Sequence, residues 1–198
     1  MSRSRKVEPE AALDAAQALF WKHGFGQVGT RQIEEETGLT RFTLQTSYGG
    51  KKSLFLQTLD AYLTGFETDF ISGITAGGLE SIANWFELRA SSACLPEVTA
   101  CGCLMLNTIV EFQGQDDEVN RRSNRFMKAL RGSFISALKS AKEDGLVDPN
   151  FDVDAKAELL LGISISLNVI IRGAEDNSAG AKMAASVATM IRDWRVKS

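Results

Sequence analysis

Residues 37–55 read TGLTRFTLQTSYGGKKSLF, a run of hydroxyl and apolar side chains cut by glycines and restarted by two lysines. A helix from a protein core would carry fewer hydroxyls, and a solvated helix would carry more charge. The glycines mark out a short helix from about Arg41 to Tyr48, with Thr40 as its N-cap and Gly49 and Gly50 as its stop. Before it, Thr30 to Thr37 reads as another short helix, opened by Gly29 or Thr30 and closed at Gly38. Two short helices joined by a tight glycine turn make a helix-turn-helix arrangement. With Ile33, Leu39 and Leu44 closing the pair inward, Arg41, Phe42, Gln45 and Thr46 are left facing out. These side chains suit a major groove: Gln bonds adenine bidentately, Thr and Phe meet a thymine methyl, and Arg reaches guanine or phosphate.

Working outward, a helix over Pro9–His23 collects Ala12, Ala15, Ala16, Leu19, Phe20 and His23 on one face, ended by Gly24. Beyond Lys51 a long helix is expected to about Thr75, then one from Leu79 to Ala93, and a short one in CLMLNTIVEF. Residues 117–143, Asp154–Gly173 and Ser178–Lys197 complete the plan. No strand alternation appears. The expectation is an all-α fold of about nine helices, with a DNA-binding head over 1–50 and a helical body over 51–198.

The run ALFWKHGF…TRQIEEETGLTRFTLQTSYGGKKSLF resembles the N-terminal domain of the TetR/AcrR family of one-component transcriptional regulators. Ile33, Gly38, Leu39, Thr40, Thr43, Leu44, Tyr48, Lys51 and Leu54 fall on the family pattern in order, as does the Ala-x-x-Leu-Phe…Gly-Phe of the first helix. Three places depart from it. Glu34 stands where a small residue is usual, Gln45 replaces a common tyrosine, and Gly49–Gly50 replaces a Pro- or Asp-containing turn. The resemblance implies that Thr43 and Lys51 contact phosphate while Arg41, Phe42, Gln45 and Thr46 face the bases. Thr30, Arg31, Thr40, Tyr48 and Lys52 complete the DNA-facing set, and Arg3, Arg5 and Lys6 offer a basic arm.

In the body, LLLGISISLNVII at 159–171 is apolar nearly all round, which calls for burial on every side. Met183, Val187, Met190, Ile191 and Trp194 form a stripe on the last helix. With Leu160, Ile163, Leu167 and Ile171 they are expected to build a two-fold four-helix interface. The alternative is a monomeric core with the last helix as lid. The family resemblance implies the homodimer as well, and so a palindromic operator.

The resemblance also implies effector binding in the middle helices. There Cys101, Met105, Ile109 and Phe112 form an apolar face, and Cys103, Asn107 and Glu111 a polar one. The polar stripe is either a ligand-recognition edge or a solvated face. Trp85, Phe86 and Phe126 are pocket walls or plain core. Cys94, Cys101 and Cys103, odd in number and close together, could bind a soft metal or react with an electrophile, or could be small buried hydrophobes.

Charge supports contact with a polyanion at one end. Residues 1–56 hold eight Lys/Arg against six Asp/Glu, while the remainder holds fourteen against nineteen, within a net charge of −3. No uninterrupted apolar run of membrane-spanning length and no signal-peptide core is present, so a cytoplasmic protein with no membrane partner is expected. A single histidine, no GxGxxG or GxxxxGK pattern and no spaced carboxylate pair argue against an enzyme, and neither cofactor nor metal is expected. The expected function is a repressor released from its operator by an organic small molecule. The alternatives are a thiol- or metal-sensing regulator of the same fold, or an all-α dimer that sequesters a ligand without binding DNA.

Overall fold

The computed structural model describes residues 8–75, 77–91 and 101–196. Cys94 and the basic arm of Arg3, Arg5 and Lys6 lie outside them. The helices are α1 (Pro9–His23), α2 (Thr30–Thr37), α3 (Arg41–Tyr48), α4 (Lys51–Gly65), α5 (Gly78–Arg89), α6 (Leu104–Phe112), α7 (Asp117–Glu143), α8 (Val153–Ala174) and α9 (Ala181–Arg192). No strand occurs among the described residues.

Capping chemistry explains where the first three helices end and where α3 begins. The Thr40 hydroxyl accepts the Thr43 N–H at 3.1 Å and so opens α3. Gly38 ends α2 at φ 70°, a left-handed conformation that lets its N–H reach the Glu34 carbonyl at 3.0 Å. Ile33, Leu39 and Leu44 are buried, closing the helix pair against Ala12, Ala16 and Phe20 of α1 and Leu54 and Phe55 of α4.

Head and body share one aromatic seam. Phe55 of α4 stacks on Phe112 of α6 at 5.6 Å between ring centroids, and Phe25, in the α1–α2 loop, meets both at 5.0 and 5.3 Å. Trp21 of α1 donates its indole N–H to the Gly102 carbonyl at 3.0 Å and meets Tyr62 edge-on at 5.2 Å. Further along, α7 is tied to α4 and to the residues just beyond it by two bidentate guanidinium–carboxylate pairs, Arg122 on Asp60 and Arg125 on Glu67, at 2.5–2.9 Å.

The expected single helix from Lys51 to Thr75 is not uniform. After Gly65 it widens into a π-helical segment, Phe66–Ile71, and resumes as Ser72–Thr75. Thr64, Thr68, Ser72 and Thr75 each turn a hydroxyl back onto a carbonyl in the preceding turn, a pattern that loosens the regular ladder. A glycine at the junction adds backbone freedom. The last helix also starts later than expected, because Asp176 accepts the Ser178 N–H at 2.8 Å and caps a 3-10 turn over Asn177–Gly180 first.

The dimer-face residues chosen from sequence need correction. Leu160, Leu167 and Ile171 of α8 and Val187 and Ile191 of α9 are buried inside a single chain. Ile163, Met183, Met190 and Trp194 are half-buried, with Trp194 edge-on to Phe151 at 5.4 Å. Within the single chain, α9 lies along α5. Apolar composition all round α8 hid which side faces inward. Its outward stripe is Leu159, Gly162, Ser166, Val169, Ile170 and Gly173. By length and a mean hydropathy of 1.5, α8 would also suit a membrane span, but its inner face is committed to the core.

Candidate functional site

At the tip of the head, α3 presents Arg41, Phe42, Gln45 and Thr46 to solvent, as its register predicts. Phe42 is 76% exposed, a large apolar ring with no intramolecular reason to be there. Thr43 is half-buried and bonded to the Thr40 hydroxyl at 2.9 Å, while Thr46 bonds back to the Phe42 carbonyl at 2.8 Å. Thr30 is exposed at the start of α2, and Arg31 is paired with Glu35 one turn on at 2.9 Å, both ends exposed and so loosely held. Tyr48 is half-buried at the end of α3.

The two lysines that open α4 lean toward the body. The Lys51 ammonium lies 4.2 Å from the Phe25 ring centre, and burial lowers its pKa against the opposing pull of Glu111. Lys52 reaches Asp116, the N-cap of α7, at 2.6 Å and Glu118 at 3.6 Å, and its hydrogen bond to Asp116 raises its pKa.

The polar stripe on α6 divides three ways. Glu111 accepts the N–H groups of Phe25 and Gly26 at 2.9 and 2.5 Å, so it clasps the head loop and is not free for a ligand. Asn107 donates to the Cys101 carbonyl at 2.7 Å, holding the approach to its own helix. Only Cys103 turns inward, with its sulfur 3.2 Å from the Tyr62 hydroxyl. Burial, and after it the neighbouring sulfur, raise the Tyr62 phenol well above its usual range.

Cys103 and Tyr62 belong to an aromatic chamber under α4. Phe66 and Phe70 from the π-helical segment, Trp85 and Arg89 from α5 and Phe126 from α7 join them, with Leu106, Leu130, Ser164 and Leu167 closing the rest. Its free volume is about 20 Å³, room for roughly one water. Phe70 and Trp85 also line an outer groove of about 410 Å³ between the end of α4 and α5. Phe86, by contrast, is wholly buried against Trp85 and Phe134 and serves as core.

A second hollow, of about 660 Å³, lies between α1, α6 and α8. Several of its polar groups are already engaged: Trp21 on Gly102, Asn107 on Cys101, Glu111 on the head loop, Arg172 on the Lys22 carbonyl at 3.0 Å. Cys101 is half-buried, and among the described residues no three His, Cys, Asp or Glu side chains come together as a metal site.

With this geometry in view, comparison with known proteins is informative. Residues 12–58 match the family described as bacterial regulatory proteins, tetR family, and residues 78–192 match the tetracyclin repressor-like C-terminal domain. The chain belongs to the TetR family. It is 27% identical over 179 residues to the HTH-type transcriptional regulator YezE of Bacillus subtilis, covering 89% of this chain and 92% of that protein. To the HTH-type transcriptional repressor ComR of Escherichia coli it is 26% identical over 207 residues, covering 97% and 91%. Among solved structures, a cysteine-substituted form of the TetR family regulator CifR, complexed with 26-base-pair operator DNA, superposes with a TM-score of 0.79. That likeness spans 98% of this chain and 100% of the other at 17% identity, so it speaks for the fold.

In this TetR family chain, Arg41, Phe42, Gln45 and Thr46 lie exposed on one side of α3. Sequence reading missed Tyr62, Phe66, Phe70 and Arg89. The three aromatics lie on the expected apolar face of α4, where chamber wall and ordinary core look alike. Arg89 sits in the last turn of α5, where a basic residue is expected for the helix dipole alone.

Proposed function

We propose that this TetR family regulator is a repressor that binds a palindromic operator as a homodimer and is released by a small organic effector held beneath α4. The observation that carries the reading is the outward set Arg41, Phe42, Gln45 and Thr46 on a head tied to a body that contains a chamber. Thr43 and the N-terminus of α3 approach phosphate, and the other four side chains address base edges. The repressor ComR is a relative along nearly the whole chain, and CifR, of like fold, has been seen on operator DNA.

Release works through two struts. α4 runs from the head, past Lys51, to the π-helical segment at the chamber. α6 has Cys103 before its first turn at the chamber, and Glu111 and Phe112 at the head in its last. An effector that binds one setting of these struts better than the other shifts the balance by that difference in affinity. The protein acts in the cytoplasm, where its operator is.

Selection of the purified protein against a random duplex library at moderate salt tests this. A palindrome with two related half-sites is expected, and Gln45→Ala should change the bases preferred within each arm. Failure of folded, dimeric protein to enrich any sequence would overturn the repressor reading in favour of a ligand-sequestering relative.

A further inference from the structure

Three polar groups face the aromatic chamber without being consumed by ordinary core packing, and they differ in what they need. The Tyr62 hydroxyl has the Cys103 sulfur at 3.2 Å. The Trp85 indole N–H is buried with no hydrogen-bond partner among the described residues, on a side chain only 9% exposed. Arg89, one turn further along α5 and so on the same face, lines the chamber close enough to Tyr62 for its charge to act on the phenol. No ion pair or hydrogen bond holds its guanidinium among the described residues. Indole and guanidinium are donors only. Among the described residues neither has an acceptor, and the half-buried guanidinium has no carboxylate beside it.

Among the described residues no carboxylate lines the chamber. Of the nearby acids, Asp60 of α4 is committed to Arg122 and Glu67 of the π-helical segment to Arg125, while Asp69, on the outer groove, accepts the Thr68 hydroxyl at 3.1 Å. The remaining surface is mostly apolar: Phe66 lies 4.7 Å from Phe126 and 5.9 Å from Phe70, Trp85 closes the outer side, and Leu106, Leu130 and Leu167 fill in between. A flat ring would find faces and edges to pack on, and a cation would find no counter-charge.

We propose that the effector is a compact aromatic carboxylate, its ring inserted among Phe66, Phe70 and Phe126 and its anionic oxygens shared by Arg89 and the Trp85 indole N–H. This rests on the reading of the body as an effector-binding domain and names the chemical class it takes. Entry runs through the outer groove. Phe70 and Trp85 stand between that groove of about 410 Å³, within the usual range for small-molecule sites, and the nearly filled chamber. Rotation of Phe70 joins the two spaces. Because Phe66 and Phe70 ride on the π-helical segment, a ring seated between them bears directly on the register of α4, a kind of helical irregularity found often at functional sites.

The test uses the full-length dimer and matched probes: phenylacetate, phenylacetamide and phenethylamine, with the corresponding naphthyl series for size. Binding is read by tryptophan fluorescence and by the shift in thermal midpoint, and operator binding is followed in parallel. In at least one series the carboxylate should bind about tenfold or more tightly than its amide, and the amine should bind least. Arg89→Gln, which removes no contact within the described fold, should erase the preference for the carboxylate and leave amide affinity unchanged. Trp85→Phe should weaken the carboxylate in both backgrounds. An amine that binds as well as its acid, a preference that survives Arg89→Gln, or no response to any acid would overturn the proposal. Arg89-dependent acid binding that leaves operator affinity untouched would uphold the chemical class while removing the chamber from the release mechanism.

Discussion

Glu111 shows how far one side chain's role depends on what its backbone neighbours need. Its spacing from Cys103 and Asn107 marks a polar stripe, yet the carboxylate is taken up by two N–H groups of the α1–α2 loop at 2.9 and 2.5 Å. Such charge-assisted bonds are stronger than neutral ones, but this one is exposed and water can replace it. Glu111→Ala should therefore lower the unfolding free energy by only about 1 kcal/mol in urea titration. The local effect should be larger. Hydrogen exchange should quicken at Phe25 and Gly26, because their N–H groups lose the bond that ties head to body, while the amides of α7 keep their protection. Unchanged exchange at the loop would mean that the aromatic seam of Phe25, Phe55 and Phe112 holds head and body together without the clasp. The same lesson separates Trp85 from Phe86. Both are buried aromatics at neighbouring positions, and only the unsatisfied indole N–H marks one of them as more than core.

At the scale of elements, α9 is held on α5 by one fork. Arg192 bonds Glu80, Asn84 and Glu87 at 2.7–3.2 Å, and these hydrogen bonds hold both carboxyls below the usual carboxylate range. A carboxyl whose folded pKa is depressed stabilises the fold above its unfolded value, and that contribution is lost as pH falls through the folded value. Asp116, depressed by Lys52, adds in the same sense. The thermal midpoint should accordingly fall on acidification from about pH 5 toward pH 3, the window set by ordinary carboxylates and the depressed values below them. Arg192→Met should be less stable at neutral pH and show a shallower acid decline; parallel curves for the two proteins would show that the fork carries none of the acid dependence. How legible each element was follows from its chemistry. The bounds of α1, α2, α3 and α7 were readable because Gly24, Gly38, Thr40 and Asp116 are caps, which act locally. The π-helical segment was not, because Phe66 and Phe70 at a spacing of four fit an ordinary helix equally well. The inner face of α8 was not either, since Leu159 and Leu160 look alike until a neighbour buries one of them.

For the whole molecule, the corrected face of α8 decides what a dimer would be made of. Leu160 and Leu167 fill the chain's own core, so the surface left for a second copy is Leu159, Gly162, Ser166, Val169, Ile170 and Gly173, flanked on α9 by Ala185, Ser186 and Thr189. Val169 is 61% exposed, and a side-chain carbon added at Gly162 or Gly173 would meet nothing within 4 Å. A stripe of small and apolar residues with no use inside the chain would let two α8 helices of a homodimer approach closely around a two-fold axis. Ser166 lies in the middle of it, its hydroxyl turned back to the Gly162 carbonyl at 3.0 Å. Ser166→Arg would place two like charges across the axis without disturbing the buried face. Sedimentation should then show a monomer, while far-ultraviolet circular dichroism stays that of the parent. Operator affinity should fall by about 10²-fold or more, because two half-sites are no longer engaged at the effective concentration that the dimer supplies. The corresponding change at buried Leu160 should unfold the chain instead, so the pair of variants separates a lost interface from a lost core. A Ser166→Arg protein that remains dimeric would move the two-fold axis off α8, and with it the half-site spacing that the dimer imposes on its operator.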